Sequence, residues 1–246
     1  MKKFTPVILT VVLLTLWQGI AMAIDAAYIL PSPLQILNKL WELRMILITV
    51  HLTATMSVTL IGLVISILFG LTLAILMDWF PSVESAVYPL VVASQTIPTT
   101  AIAPLFVLWF GYSIWSKILV TVLITFFPIT IAVFDGFKST KREMEELLVT
   151  YGATKKDIFV TLKIPTALPS FFSAIKMAIP LSVIGAAIAE WLGAQSGLGY
   201  FSKRMMTQLD GAGVFAPVVL LSVVAMLMVA LVSWIEKRTL KWRKEI

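Results

Sequence analysis

Few residues in this chain could carry out a reaction. There is no cysteine, and a single histidine, His51, cannot build a metal centre, so it reads as an interfacial residue rather than a ligand. Nucleotide hydrolysis needs a glycine-rich phosphate loop closed by Gly-Lys-Ser/Thr, and none of the twelve glycines is followed by lysine. The apolar runs contain no constellation of acid, base or metal-binding groups. The chain is therefore read as no enzyme, with no cofactor and no metal, and any energy it uses must come from a partner. What remains are polar groups stranded among apolar residues, which mark a route for solute when they face a cavity. Ser94-Gln95-Thr96 and Thr99-Thr100 are such groups, and Pro98 and Pro104 remove donors that would have bonded to the carbonyls of Ser94 and Thr100. Gln95 and Thr99 are four apart, the spacing of one helix face, so that face is expected to line a translocation path; bonding to a neighbouring helix is the alternative. Glu190 precedes Trp191 and a glycine-rich stretch to Tyr200, where it would either gate the mouth of a path or simply be solvated.

A second kind of working part lies in residues 135–169, where charge, helix caps and amphipathicity coincide. Thr140-Lys141-Arg142-Glu143 has the form of a capping box, and Met144, Leu147, Leu148 and Tyr151 follow at helical spacing on one face. Gly152 ends that helix. Thr154-Lys155-Lys156-Asp157 opens a second short helix bearing Ile158, Phe159 and Leu162, which Pro165 is expected to stop. Two short helices broken at a glycine form a knob with an apolar face and a basic rim, made either to seat in a partner's socket or to lie on lipid headgroups.

The elements that hold these groups are membrane helices. Hydrophobic residues make up 59% of the 246 and charged residues 13%, against roughly 45–50% and about 25% in soluble domains. A soluble globule and a disordered chain are both excluded. A bilayer core needs about 20 mostly apolar residues per helix. Residues 6–24, 54–77, 86–110, 118–134 and 214–235 supply such runs without a charge, and 170–189 does so apart from Lys176, placed near one end where it could snorkel. The expectation is an all-α membrane protein, one transmembrane domain over 1–246 with six spans and the loop 138–166 between the fourth and fifth. Ser32-Pro33-Leu34-Gln35 reads as a helix start, and the helix after it lies on the membrane surface or packs on the bundle. Gly62, Ser66 and Gly70, and Gly185 and Ala189, are small residues at spacing four that read as packing surfaces.

Cytoplasmic segments retain positive charge. With both termini inside, the inner segments hold Lys2, Lys3, six basic residues in 135–169 and five from Lys237 to Lys244; the outer ones hold Lys39, Arg44, Lys117, Lys203 and Arg204. That bias places the loop and both termini in the cytoplasm and explains the net charge of +6 through membrane lipid rather than nucleic acid. Ala21-Met22-Ala23 imitates a secretory cleavage site, but the apolar stretch before it is longer than a signal core, so it is read as a span.

The loop's spacing, Glu146, five residues, Gly152, nine residues, Leu162-Lys163-Ile164-Pro165, resembles the EAA loop of bacterial ABC importer permeases, with Leu147 and Leu148 in place of its two alanines. Pro31-Ser32-Pro33, Ile97-Pro98, Ala103-Pro104-Leu105, Leu108-Trp109-Phe110-Gly111, Phe127-Pro128, and Glu190 with Gly197-Leu198-Gly199-Tyr200 are similar to the nitrate, sulfonate and taurine branch of that family. The resemblance implies an inner-membrane permease subunit pairing with a second copy, an ABC ATPase on the cytoplasmic face and an extracytoplasmic solute-binding protein. It further implies that Glu146, Gly152 and the apolar face form the coupling helix that docks on the ATPase. Members of the branch carry nitrate, sulfonates, taurine, riboflavin or thiamine-precursor pyrimidines, and Glu190-Trp191-Leu192-Gly193 with Gln208-Leu209-Asp210-Gly211 looks most like the last. An ion-gradient-driven secondary transporter is the alternative, disfavoured because only Lys176 and Glu190 are ionisable groups within the spans.

Overall fold

The computed structural model describes residues 5–241. Lys2, Lys3, Arg243 and Lys244, which carry part of the charge asymmetry, lie outside the described residues. Five helices are long and apolar enough to cross a membrane, and a bent pair makes up to six. The described elements are helical: α1 (Thr5–Ile24), α2 (Pro33–Ile46), α3 (Thr53–Trp79), α4 (Pro81–Ser94), α5 (Thr99–Phe110), α6 (Ile114–Lys138), α7 (Arg142–Thr150), α8 (Lys155–Ile158), α9 (Ile164–Gly193), α10 (Leu198–Thr207) and α11 (Gly211–Thr239).

The core is α6 held between α3 and α9. Small residues at spacing four let the backbones meet, as expected. A Cβ on Gly62 would stand 2.7 Å from Thr121 Cγ2, one on Gly70 3.0 Å from Ile129 Cγ2, and one on Gly185 3.1 Å from Thr121 Cα. Ser66 and Thr125 join hydroxyls across the α3–α6 seam, and each also bonds to the carbonyl one turn back in its own helix. Ile129, Val133, Phe134, Ala174, Ala178 and Ile179 fill the centre.

Ser32 caps α2 as its sequence predicts: Gln35 N donates to Ser32 Oγ at 3.3 Å, and Ser32 N to Gln35 Oε1 at 2.8 Å. The surface-lying reading of this helix fails, because α2 runs through a π-helical turn (Leu47–Leu52) into α3, a continuous rod of 47 residues. At about 1.5 Å per residue that is roughly 70 Å, more than twice a bilayer core of about 30 Å, so the rod extends beyond the membrane. Its α2 portion packs on α11, where Lys39 pairs with Asp210 at 3.2 Å.

Two expectations change. The third run, 86–110, is not one straight crossing but α4 and α5 bent by 98° at residues 95–98. Pro98 cannot continue α4 and instead sits just before α5. Pro165 does not stop the second loop helix: α8 passes through a π-helical turn (Phe159–Lys163) into α9, with Pro165 in the first turn of α9. In the wide turn Ile164 N bonds back five residues to Phe159 O, a register that accommodates the proline ring. Lys176, in α9, pairs with Glu236 on α11 at 2.6 Å.

Candidate functional site

The loop between α6 and α9 is built from its caps. The box at Thr140 does not form. Thr140 N still bonds to Phe137 O at 3.4 Å in the last turn of α6, so that helix holds Thr140, and Lys141 precedes α7 without a side-chain cap. The second box forms as expected: Asp157 N donates to Thr154 Oγ1 at 3.3 Å and Thr154 N to Asp157 Oδ2 at 2.9 Å. Between them Gly152 has φ +82°. Gly152 N bonds to Val149 O at 2.9 Å and Ala153 N to Leu148 O at 3.0 Å, the paired bonds of a Schellman turn. No atom lies within 4 Å of where its Cβ would stand, so glycine is required by backbone conformation and not by crowding.

The apolar residues of the loop divide into two sets. Ile158 and Phe159, expected on the partner-facing side, are each 8% exposed and face inward. The Phe159 ring lies against Trp79 of α3 and Phe137 of α6, with centroids 5.6 and 5.2 Å apart. Leu162, Leu148 and Pro165 are half-buried, while Glu146, Met144, Leu147 and Tyr151 are exposed, Tyr151 by 80%. Val149 and Val160 join the exposed set, and the sequence reading missed them. Also missed were the polar anchors. Lys163 pairs with Asp78 at 2.8 Å and Glu145 at 3.7 Å; Lys155 Nζ donates to Trp79 O at 2.6 Å. Eighty-five positions separate Lys163 from Asp78, and no local pattern announces such a pair.

At the other end of α6 and α9, Glu190 is 1% exposed, so the solvated reading does not hold. Its Oε2 accepts Gly199 N at 2.7 Å, Thr55 Oγ1 accepts Leu198 N at 2.8 Å, and His51 Nδ1 accepts Gly197 N at 3.1 Å. Three side chains from two long helices thus receive the successive amides that open α10. His51 is buried. Gly197, at φ +121°, and Gly199 let the chain approach this closely, since a Cβ would overlap the Glu190 carboxyl at the first and Ala187 O at the second.

Gln95 and Thr99 do not share a helix face, because the bend between α4 and α5 falls between them. Gln95 is exposed and Thr99 half-buried at that break, which Ile97 shares, exposed. Beyond the break α5 packs on α6 and α9 and leaves Leu108, Trp109 and Phe110 exposed.

Residues 66–241 match the model of the binding-protein-dependent transport system inner membrane component family. The chain is 53% identical to the formylaminopyrimidine transport permease protein ThiX of Halalkalibacterium halodurans, over 99% of this chain and 98% of that protein. It is 29% identical to the putative aliphatic sulfonates transport permease protein SsuC of Bacillus subtilis, covering 96% and 86% of the two chains. Identity to the taurine transport system permease protein TauC of Escherichia coli is 26%, over 96% and 88%. Among solved structures, an inward-facing form of the MetNI methionine ABC transporter aligns with a TM-score of 0.56 at 18% identity, covering 84% of this chain and 94% of that chain, a likeness of fold.

Proposed function

The chain belongs to the binding-protein-dependent transport inner-membrane components, as the permease of an ABC importer and not an enzyme, and from that premise we propose that two copies of it carry a formylated aminopyrimidine into the cell. An importer permease spans the inner membrane and works with an ATPase and a binding protein. The 53% identity across nearly the whole chain to a formylaminopyrimidine permease supports that cargo over a sulfonate or taurine, for which identity falls below 30%.

The observation that carries the working mechanism is the glycine-hinged loop. It presents Met144, Leu147 and Tyr151 outward, while Phe159, Lys155 and Lys163 fasten it to the ends of α3 and α6. A force applied to its exposed face reaches the core helices without being lost in a slack linker. The ATPase docks there, with Glu146, held by Arg142 at 2.8 Å, at the edge of the contact. The basic residues of the loop and of the C-terminal segment support a topology with both termini and the loop in the cytoplasm. ATP closes the ATPase pair, the two loops move together, and the balance between inward-open and outward-open states shifts.

The helix break at Gln95–Thr99, where Gln95, Thr96 and Ile97 are exposed, supports a path between two copies, because a broken helix at membrane depth needs protein or water beside it. Glu190 acts on the outer mouth from behind, by holding α10.

Vesicles containing the permease, its ATPase and its binding protein test this reading. Uptake of formylaminopyrimidine should require ATP, persist when ion gradients are collapsed and deliver the compound unchanged. ATP-independent uptake, or uptake of taurine but not the pyrimidine, would refute the mechanism or the cargo respectively. Gln95→Leu with Thr99→Leu should lower uptake while the complex still purifies intact.

A further inference from the structure

Four lysines among the described residues are half-buried. Three have a carboxylate: Lys39 with Asp210 at 3.2 Å, Lys163 with Asp78 at 2.8 Å and Lys176 with Glu236 at 2.6 Å. Lys117, in the first turn of α6, makes no salt bridge or side-chain hydrogen bond with a described residue, although it feels the field of Glu190 beneath it. Glu190 forms no salt bridge with Lys117: its Oε2 accepts the amide of Gly199, and its Oε1 is buried without a hydrogen-bond partner among the described residues. A half-buried ammonium without a partner is an unfavourable arrangement at the end of a membrane helix, unless something else supplies acceptors.

Lys117 lines an open pocket of about 540 Å³ whose other walls include Tyr112, Gly193, Gln195 and Ser196. The pocket is assembled from the α5–α6 and α9–α10 connections together with the first turn of α6 and the last turn of α9. Tyr112 lies so close over Gly193 that a Cβ there would overlap its ring, so glycine at 193 sets the aromatic wall in place. Because α6 leads from this pocket to the α7–α8 loop and α9 returns from the loop to it, the pocket stands at the end of the bundle opposite the ATPase face. It combines one cation that makes no salt bridge with a described residue, a phenol ring, a primary amide and a hydroxyl.

We propose that this pocket receives the cargo at the outer mouth, with Lys117 donating to the ring-nitrogen or formyl-oxygen acceptors of a small heteroaromatic solute beside the Tyr112 ring. This rests on the reading of the chain as an importer permease. The cargo supplies acceptors at hydrogen-bond distance that no carboxylate among the described residues supplies. An anionic group such as a sulfonate satisfies the same donors, so the pocket's chemistry stands apart from the choice of cargo.

Equilibrium binding tests it on the intact permease–ATPase complex in phosphatidylcholine nanodiscs, without binding protein, using radiolabelled formylaminopyrimidine and radiolabelled taurine. Wild type should bind the pyrimidine. Lys117→Met should raise Kd about tenfold or more, the scale of one charge-assisted hydrogen bond, and Lys117→Arg should restore most of the affinity. Gln195→Ala, on an exposed segment, should weaken binding severalfold and serves if Lys117→Met fails to assemble. Binding of taurine alone, lost in Lys117→Met, would uphold the pocket and refute the pyrimidine cargo. The proposal is overturned if neither solute binds wild type, if both variants bind as wild type does, or if Lys117→Met weakens only docking of the binding protein. Loss of solute binding on adding phosphatidylglycerol, undiminished in Lys117→Met, would also overturn it, since lipid phosphate would then act elsewhere.

Discussion

Lys163 at the start of α9 and Asp78 at the end of α3 form an ion pair at 2.8 Å in which the carboxylate side chain is only 2% exposed. It ties the loop to the far wall of the helix sandwich across α6. Removing one partner of a buried pair typically costs about 3–5 kcal/mol, and here Glu145, 3.7 Å from Lys163, offsets part of that loss when Asp78 is removed. Asp78→Ala should therefore lower the melting temperature of the purified complex and reduce transport more than it reduces ATP hydrolysis. Asp78→Ala combined with Lys163→Met should recover much of the melting temperature but not the coupling, since the tether stays absent. A double variant coupled as well as wild type would show the pair to be only structural.

The turn at Gly152 makes a conformational demand with no steric one. At φ +82° any β-branched residue is strained by about 1–2 kcal/mol or more, whereas asparagine tolerates the region. Uptake per ATP hydrolysed should fall in the order wild type, Gly152→Asn, Gly152→Ala, Gly152→Val, with membrane insertion unchanged throughout. Equal coupling in all four would mean that the turn does not set the presentation of Met144, Leu147 and Tyr151.

At Gly62 the demand is reversed: space, not conformation. A methyl there would stand 2.7 Å from Thr121 Cγ2 and 2.9 Å from Thr121 Cβ, both on a stiff β-branched residue. Gly62→Ala should force α3 and α6 apart and destabilise the complex by about 1–3 kcal/mol. Thr121→Ala should relieve part of that, because Cγ2 leaves while Cβ remains. Thermal denaturation of the two single variants and the double variant checks this; strictly additive losses would place the contact elsewhere.

The contrast between Gly62 and Gly152 also shows where the sequence was readable. Short-range codes came through: the Ser32 and Thr154 boxes, the small-residue stripes and the glycine break all act within one or two helical turns. The Thr140 box failed because a competing local signal, the last turn of α6, holds the same residue. The continuity of α2 with α3 and of α8 with α9 was hidden because a π-helical turn absorbs a register change without any glycine or interruption. Gln95 and Thr99 show the other limit: four positions apart means one face only if the helix continues, and Pro98 ends it. Which apolar residues of the loop point inward depended on Trp79 and Phe137, far away in the chain.

Glu190 and Gly197 form the last coupled pair. Glu190→Gln keeps an oxygen for Gly199 N and should cost little. Glu190→Ala leaves a buried amide without its acceptor, worth about 1–3 kcal/mol, and frees the start of α10. Gly197→Ala brings two penalties: a strained φ of +121° and overlap of the new methyl with the Glu190 carboxyl. Only the overlap disappears when the carboxyl is gone. Glu190→Ala with Gly197→Ala should therefore lower the melting temperature by less than the sum of the single variants, while still falling below Glu190→Ala alone because the backbone strain persists. Losses that simply add would separate the two residues and leave His51 and Thr55 as the groups that hold α10 in place.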